Sequence, residues 1–175
     1  KKAFCKLSLR KALEDVSINY KKQKRRWVMQ LLTFLLSGIC FGIPVSDVVS
    51  IETRMNVFGV PEAPSNIKGV IKLHGSIVPI YSLASRFHYP EGNVQNVIVA
   101  GVEGMKIGLE VESVREIVEI PSREIENMPE IMNVTQNCFH NIASKGKELI
   151  TILDVKHLIS TEEQESLQKL IDEQK

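Results

Sequence analysis

The chain has 175 residues, of which 43% are hydrophobic and 25% are charged, and its formal net charge is +1. These values predict an ordinary globular protein of one or two compact units, and they exclude a chain too polar to bury a core. Its three cysteines, Cys5, Cys40 and Cys138, are odd in number and form no Cys-x-x-Cys pair. That pattern argues against a disulfide framework and for reduced thiols in a cytosolic compartment.

The first 26 residues form a basic arm by composition. They hold ten of the 22 Lys and Arg against two acidic residues, a net charge of +8 that leaves −7 for the rest of the chain. Such a charge run could contact nucleic acid or anionic lipid through electrostatics that do not depend on sequence. A solvated arm or a short helix, with Leu9, Leu13 and Val16 on one side, is the more common outcome.

Residues 27–45 are largely apolar and follow a basic cluster, which is also the pattern of a membrane anchor. A spanning helix needs about 20 apolar residues, whereas two glycines and Pro44 interrupt this run. We therefore expect two strands, at about 29–36 and 39–45, joined by a turn at Ser37-Gly38.

Residues 66–87 predict a hairpin that ends in a helical turn, and we expect the rest of the fold to be organised around it. Two β-prone runs, 70–73 and 77–80, are separated by turn residues at 74–76. Pro79 has no N–H to donate to a sheet. The second run should therefore lie at a sheet edge or at the point where the strand leaves the sheet.

The chain also contains an internal similarity. Residues 41–51 and 107–117 both read apolar-Gly-apolar-x-Val-x-x-Val-x-x-Ile. A second pair of similar stretches, 77–83 and 149–155, follows a glycine turn in both cases. Two copies of one small β unit fit the length that remains after the arm.

Short strands at close spacing fill the remainder. A hairpin is predicted over 96–111, with its turn at Glu103-Gly104, and a further run covers 113–120. Ser160 and Glu163 then form a capping box that opens a terminal helix. Many short strands and a duplication favour paired small barrels, in which closure protects the strand edges.

Sequence patterns of catalysis and metal binding are missing. The chain has no Gly-x-Ser-x-Gly, and the glycines of residues 101–108 lie in a hairpin rather than in a phosphate-binding loop. The four histidines stand apart, without the spacing of a zinc site: His74, His88, His140 and His157. The sequence therefore predicts no catalytic, cofactor or metal site.

Over residues 32–159 the chain resembles the family of the chemotaxis coupling protein CheW, which is related to the regulatory domain of the histidine kinase CheA. The core of the resemblance is Gly-Val-x-x-Leu-x-Gly-x-Ile-Val-Pro, whose glycine and proline spacings are fairly specific. The matching stretches are 41–43 leading to 48–51, 67–75 with 77–80, and 149–154.

The resemblance implies an all-β fold. It consists of two five-stranded antiparallel barrels of the Src-homology-3-like type, related by a pseudo-twofold axis, with a short C-terminal helix. The chain then has three parts: the basic arm at 1–26, the double barrel at 27–160 and the helix at 161–175.

The resemblance also implies a function without catalysis. The protein would be a cytoplasmic adaptor at receptor arrays that couples the cytoplasmic tips of methyl-accepting chemoreceptors to CheA, with no nucleic-acid partner and no membrane insertion. Two alternatives stay open at this point. One is an isolated regulatory piece of a longer signalling protein, and the other is a small-ligand or enzymatic module that uses the groove between the barrels.

Contact residues follow from the same resemblance. The residues expected at the receptor-binding groove are Val45, Val48, Ile98 and Val99. Kinase binding is expected at Ser50 and His74, where the family usually has an acidic residue and an arginine. Because those two family residues tend to pair, we expect Ser50 and His74 to lie near each other on the first barrel.

Overall fold

The computed structural model describes residues 27–61, 63–128 and 138–173. Strands dominate this part of the chain: β1 Val28–Leu36, β2 Ile39–Pro44, β3 Val48–Thr53, β4 Ile67–Leu73, β5 Ser76–Ser82, β6 Asn96–Val102, β7 Met105–Val111, β8 Ser113–Pro121, β9 Ile125–Asn127, β10 Phe139–Lys145 and β11 Glu148–Leu153. The helices are α1 Leu83–Arg86, α2 Val155–Leu158 and α3 Thr161–Glu173, and 3-10 turns cover Val45–Asp47 and Ser122–Glu124. Within the described ranges no helix is long and apolar enough to span a bilayer.

The strands form two sheets. One has six strands in the order β8-β1-β2-β11-β10-β9, and the other has five in the order β3-β6-β7-β5-β4. The all-β prediction is confirmed, with two differences from a pair of five-stranded antiparallel barrels. β9 adds a sixth strand to one sheet, and each sheet contains one parallel pair, β2 with β11 and β5 with β7.

Apart from the extra strand β9, the two sheets have the same strand arrangement, and they are built from two repeats, β1–β5 and β6–β11. In the six-stranded sheet, β1 and β2 of the first repeat lie between β8 and β11 of the second. In the five-stranded sheet, β6 and β7 of the second repeat lie between β3 and β5 of the first. The repeats thus exchange their first hairpins. The register agrees with the duplication in the sequence, since Gly42 lies opposite Ile152 and Gly108 lies opposite Ile80.

The last strand of each repeat ends in the same way. Ser82 caps α1 by accepting a hydrogen bond from the N–H of Ser85 at 3.2 Å. Asp154 caps α2 by accepting from the N–H groups of Lys156 and His157 at 3.0 and 3.4 Å. Both are residue types that favour a helix N-terminus. The helical turn predicted after the central hairpin is confirmed, and it has a counterpart in the second repeat.

Three hairpin turns lie where the sequence predicts them. The φ angles are 51° and 74° at Ser37-Gly38, 47° and 80° at His74-Gly75, and 48° and 87° at Glu103-Gly104. Two successive positive φ angles match the twist of the flanking strands, and glycine adopts the second without steric cost. The two strands predicted within 27–45, in place of a membrane anchor, are confirmed by β1 and β2.

Pro79 does not mark a sheet edge. β5 pairs with β4 on one side and with β7 on the other. Its pairing with β7 begins at Ile80, one residue after Pro79, so the missing N–H falls outside that paired stretch. Of the two positions expected for Pro79, the sheet edge is wrong, because β7 of the other repeat pairs with β5, and the point at which the strand leaves its partner agrees with the register.

Buried apolar side chains form three clusters. One lies between the two sheets and takes residues from both, among them Phe34, Phe41, Tyr81, Leu109 and Leu153. Another lies inside the six-stranded sheet and includes Leu31, Val118, Ala143 and Ile150. The third lies inside the five-stranded sheet and includes Ile71, Val78, Ile80, Val97 and Val99. The contact between the sheets is thus a core in its own right.

A short segment links the two edges of each sheet. β8 and β9 are the outermost strands of the six-stranded sheet, and only the turn Ser122–Glu124 separates them in sequence. In the five-stranded sheet the segment after β3 reaches β4, where Phe58 and Val70 exchange two backbone hydrogen bonds of 2.9 Å. Gly69 permits this approach, because a Cβ atom there would lie 2.1 Å from the carbonyl oxygen of Phe58. The Phe58–Val70 bridge covers part of the β4 edge, whereas β3 and β8 keep one side unpaired among the described strands.

The capping box predicted for the terminal helix is confirmed. The N–H of Ser160 donates to Glu163 Oε2 at 2.9 Å, and the N–H of Glu163 donates to Ser160 Oγ at 3.2 Å. Asn66 donates to the other carboxylate oxygen of Glu163 at 3.0 Å. α3 packs on β5, and its Leu167 is 1% exposed. This helix therefore packs against β5 and adds Leu167 to the core between the sheets.

Candidate docking surface

The edge strand β3 carries apolar side chains at the protein surface. Val49 and Ile51 are 52% and 44% exposed. Val45, in the preceding 3-10 turn, and Val48 are half-buried and pack against the core between the sheets. These four residues are called the β3 surface below. Exposed apolar side chains on an edge strand are typical of a protein contact.

Ile98 and Val99 lie on β6, directly beside β3, yet neither reaches solvent. Both are 0% exposed; Ile98 lies in the core between the sheets and Val99 in the core of the five-stranded sheet. A fully buried side chain cannot touch a partner. We therefore correct the prediction that Ile98 and Val99 contact the receptor. They support β3 from the neighbouring strand, where Ile98 lies opposite Ile51 and Val99 lies opposite Ser50.

Ser50 is held by a neighbouring carboxylate. Its hydroxyl donates to Glu52 Oε1 at 2.8 Å. Alternate residues of a strand face the same side, so Ser50 and Glu52 share one face of β3. The carboxylate that the family resemblance led us to expect at position 50 is thus present two residues further along that face.

His74 is exposed at the first position of the turn between β4 and β5, with a φ of 47°. β3 and β4 are opposite edges of the five-stranded sheet. Within the described ranges, Ser50 and His74 share no hydrogen bond. Their proximity stays a prediction. The Phe58–Val70 bridge joins the segment that follows β3 to β4, the strand that precedes His74.

β8 is the equivalent edge strand of the six-stranded sheet, and its chemistry differs. The internal similarity aligns Arg115 with Val49 and Glu116 with Ser50. Arg115 forms an ion pair with Glu148, and Glu116 lies 2.7 Å from Lys145 Nζ. The hydrogen bond from Lys145 lowers the pKa of Glu116. Both edges expose an apolar side chain, Ile117 on β8 and Val49 and Ile51 on β3, but β8 also carries ion pairs at the two positions equivalent to Val49 and Ser50. This difference in charge suits two different partners.

Lys68 ties the loop between the repeats to the five-stranded sheet. Its Nζ lies 2.9 Å from Oε2 of Glu110, which is 8% exposed, and 3.0 Å from Oε1 of Glu91. Burial lowers the pKa of Lys68, but the two carboxylates outweigh burial and the net pKa is raised. Across the described residues no group of three His, Cys, Asp or Glu is placed to hold a metal ion.

The family follows from a match to both sheets at once. The model of the CheW-like domain matches residues 30–163, which include every strand from β2 to β11 and most of β1. The chain belongs to the CheW-like domain family.

Individual CheW-like proteins agree with this assignment. The chain is 25% identical over 149 residues to the chemotaxis protein CheW of Treponema pallidum (strain Nichols), a match that covers 81% of this chain and 88% of that protein. It is 26% identical over 141 residues to the chemotaxis protein CheW of Bacillus subtilis (strain 168), covering 78% and 90%. The crystal structure of the scaffolding protein TtCheW from Thermoanaerobacter tengcongensis matches with a TM-score of 0.72 and 25% identity, covering 78% of this chain and 96% of that one.

Sequence reasoning missed three residues of the CheW-like edge strand. Val49, Ile51 and Glu52 were not singled out, although they flank Ser50 in β3. The run Val48-Val49-Ser50-Ile51 reads as a strand, but its sequence does not show which side is exposed. That depends on β3 being an edge strand.

Proposed function

We propose that this CheW-like protein is a non-catalytic adaptor that couples chemoreceptors to the histidine kinase CheA in bacterial chemotaxis. Membership of the family across both sheets carries the proposal. The relatives are named chemotaxis proteins, and the structural neighbour is named a scaffolding protein. Its place would be the cytoplasm, at receptor arrays.

An adaptor needs at least two contact surfaces of different chemistry. The β3 edge, with its exposed Val49 and Ile51, and the β8 edge, with its ion pairs, belong to different sheets. Both edges are built from the same repeated strand, which holds them in a fixed relation through the core between the sheets. Two surface edges that are joined through one core support a bridging role.

The β3 surface is proposed to bind the receptor tip through Val45 and Val48. Val48→Asp should weaken binding of receptor cytoplasmic fragments by at least tenfold, about 1.4 kcal/mol, because it places a charge in an apolar contact. Val49→Asp, at a more exposed position, separates lost binding from lost folding. The matched control is Val114→Asp, since Val114 is the equivalent of Val48 in the other repeat and also packs against the core between the sheets.

Circular dichroism and urea unfolding establish that each variant is folded before its binding is measured. If Val48→Asp and Val49→Asp stay folded and bind receptor fragments as the wild type does, the receptor surface is wrongly placed. Wild-type protein that binds neither receptor fragments nor CheA would overturn the adaptor function itself.

Ser50 and His74 are proposed to act in kinase binding. Restoring the family pair with Ser50→Glu and His74→Arg should change the affinity for the CheA regulatory domain by less than about tenfold if the two residues only pair internally. An exposed ion pair contributes roughly 0.2–1 kcal/mol, and a tenfold change needs about 1.4 kcal/mol. A larger gain would indicate direct contact with the kinase. Strictly additive single substitutions in a double-mutant cycle would show that the positions do not interact.

A further inference from the structure

Ile39 and Leu149 form an exposed apolar pair on the six-stranded sheet. They lie on neighbouring strands, β2 and β11, each two residues before the register partners Phe41 and Thr151. Ile39 is 40% exposed and Leu149 is 63% exposed. Two residues along a strand return to the same face, and Phe41 on that face lies in the core between the sheets. Ile39 and Leu149 therefore extend this face of the six-stranded sheet past the end of the core between the sheets.

The equivalent positions in the five-stranded sheet lie beside a helix. The repeat relation places Met105 at the position of Ile39, and Ile77 at the position of Leu149. Met105 and Ile77 are half-buried and line one cleft together with Gln168 and Ile171 of α3. The pseudo-twofold relation thus points to a second helix-binding position on the six-stranded sheet. No described helix fills it, because after α1 the chain returns directly to β6.

We propose that the basic arm, residues 1–26, docks on the Ile39–Leu149 pair as an amphipathic helix, at the position that corresponds to that of α3 beside Ile77 and Met105. The arm has the required apolar stripe. Leu9, Leu13 and Val16 recur at the i, i+4, i+7 spacing that places side chains on one side of a helix.

The arm leads to the right strand and is long enough to reach the pair. It runs directly into β1, and Leu36 at the far end of β1 pairs with Ile39. β1 has nine residues, about 30 Å at roughly 3.3 Å per residue. A helix over 9–20 and an extended link over 21–26 span about 38 Å together.

Charge also favours docking on the same chain. The arm carries +8 and the remainder of the chain carries −7, so long-range attraction brings the arm to the body. A second copy is a poorer source of the helix, since its α3 is already packed on its own β5.

Amide hydrogen exchange of the full-length protein, read by mass spectrometry, tests the proposal. Peptides covering 9–16 should be protected about tenfold relative to a free chain, equivalent to about 1.4 kcal/mol of docking. Leu149→Asp and Leu13→Asp should each abolish this protection, and the double variant should lose no more than either alone. Ile117→Asp is the matched control, because Ile117 is 57% exposed on β8 of the same sheet.

Each other outcome counts against the proposal. An arm that exchanges at the free rate in the wild type overturns it, and so does protection that survives Leu149→Asp. Protection that disappears on dilution would assign the site to the arm of a second copy. Leu149→Ser is a milder variant of the same position. If it has the urea midpoint of the wild type and also loses the protection of the arm, unfolding of β11 is not the cause of the loss.

Discussion

Gly108→Ala is expected to destabilise the junction at which the second repeat's first hairpin joins the first repeat. Gly108 lies opposite Ile80 in the parallel pair of β5 and β7. A Cβ atom at Gly108 would lie 2.5 Å from Ile80 Cδ1 and 2.9 Å from Val97 Cγ1. Ile80 and Val97 belong to the core inside the five-stranded sheet and are 0% and 2% exposed. Both side chains are enclosed by the core, so they must shift against packed neighbours to admit the added carbon.

The size of the loss follows from two opposing effects. An extra carbon in a packed core costs roughly 1–3 kcal/mol. Replacing glycine by alanine returns about 0.4–1 kcal/mol, because the unfolded chain has less conformational freedom. The net loss is about 1.5 kcal/mol, which lowers the Tm of a protein of this length by about 3–6 °C.

Urea unfolding followed by circular dichroism measures the effect against two matched variants. Gly42→Ala, at the equivalent junction, should lose less, since its Cβ would meet Ile150 Cγ2 at 2.9 Å and Leu31 Cδ1 at 3.3 Å. Gly59→Ala should raise the stability by about 0.4–1 kcal/mol, because nothing lies within 4 Å of its Cβ position and only the effect on the unfolded chain remains. Equal midpoints for Gly108→Ala and Gly59→Ala would refute the packing argument.

Three further substitutions test local contacts. Burial raises the pKa of Asp154, but hydrogen bonds from His157 and from the backbone outweigh burial, and the net pKa is lowered. The ionised Asp154 therefore stabilises the fold above about pH 4, and this stabilisation is lost in acid. Asp154→Ala should cost about 1 kcal/mol at neutral pH. The urea midpoints of the variant and the wild type should converge below about pH 4. A difference that stays constant with pH would contradict the role of the Asp154 carboxylate. Lys68→Met leaves the buried Glu110 without its ion-pair partner and should cost about 1–3 kcal/mol in thermal unfolding, with partial recovery in Lys68→Arg; an unchanged Tm would show that the pair adds nothing. Ser160→Ala should cost about 0.5–1 kcal/mol and speed amide exchange in α3, and unchanged exchange would mean that tertiary packing alone holds the helix.

The features that sequence reasoning predicted correctly are local in the chain. The turns at Ser37-Gly38 and His74-Gly75 are fixed by residues that tolerate positive φ angles, and the box of Ser160 and Glu163 spans one helical turn. Each of these features depends only on residues that are close to it in the sequence. The duplication was visible because equivalent strands repeat the same glycine and β-branched positions.

The features that sequence reasoning missed depend on contacts between distant residues. Pro79 was expected at an edge, but β7 covers β5 from the other repeat. Val48 and Ile98 are both apolar strand residues, yet Val48 is partly accessible and Ile98 is enclosed between the sheets. The difference arises because β3 ends its sheet while β6 lies inside it, and strand order is not encoded in a local pattern.

The exchange of first hairpins between the repeats sets the order in which the sheets can be completed during synthesis. In the five-stranded sheet Gly108 meets Ile80, about 28 residues earlier in the chain, whereas in the six-stranded sheet Gly42 must wait for Ile152, about 110 residues later. Long sequence separation slows folding, because the loop must close before the contact forms. The five-stranded sheet is therefore expected to fold first. Until β11 leaves the ribosome, the β1–β2 hairpin has an open strand edge, which is where a nascent chain of this kind is most exposed to aggregation.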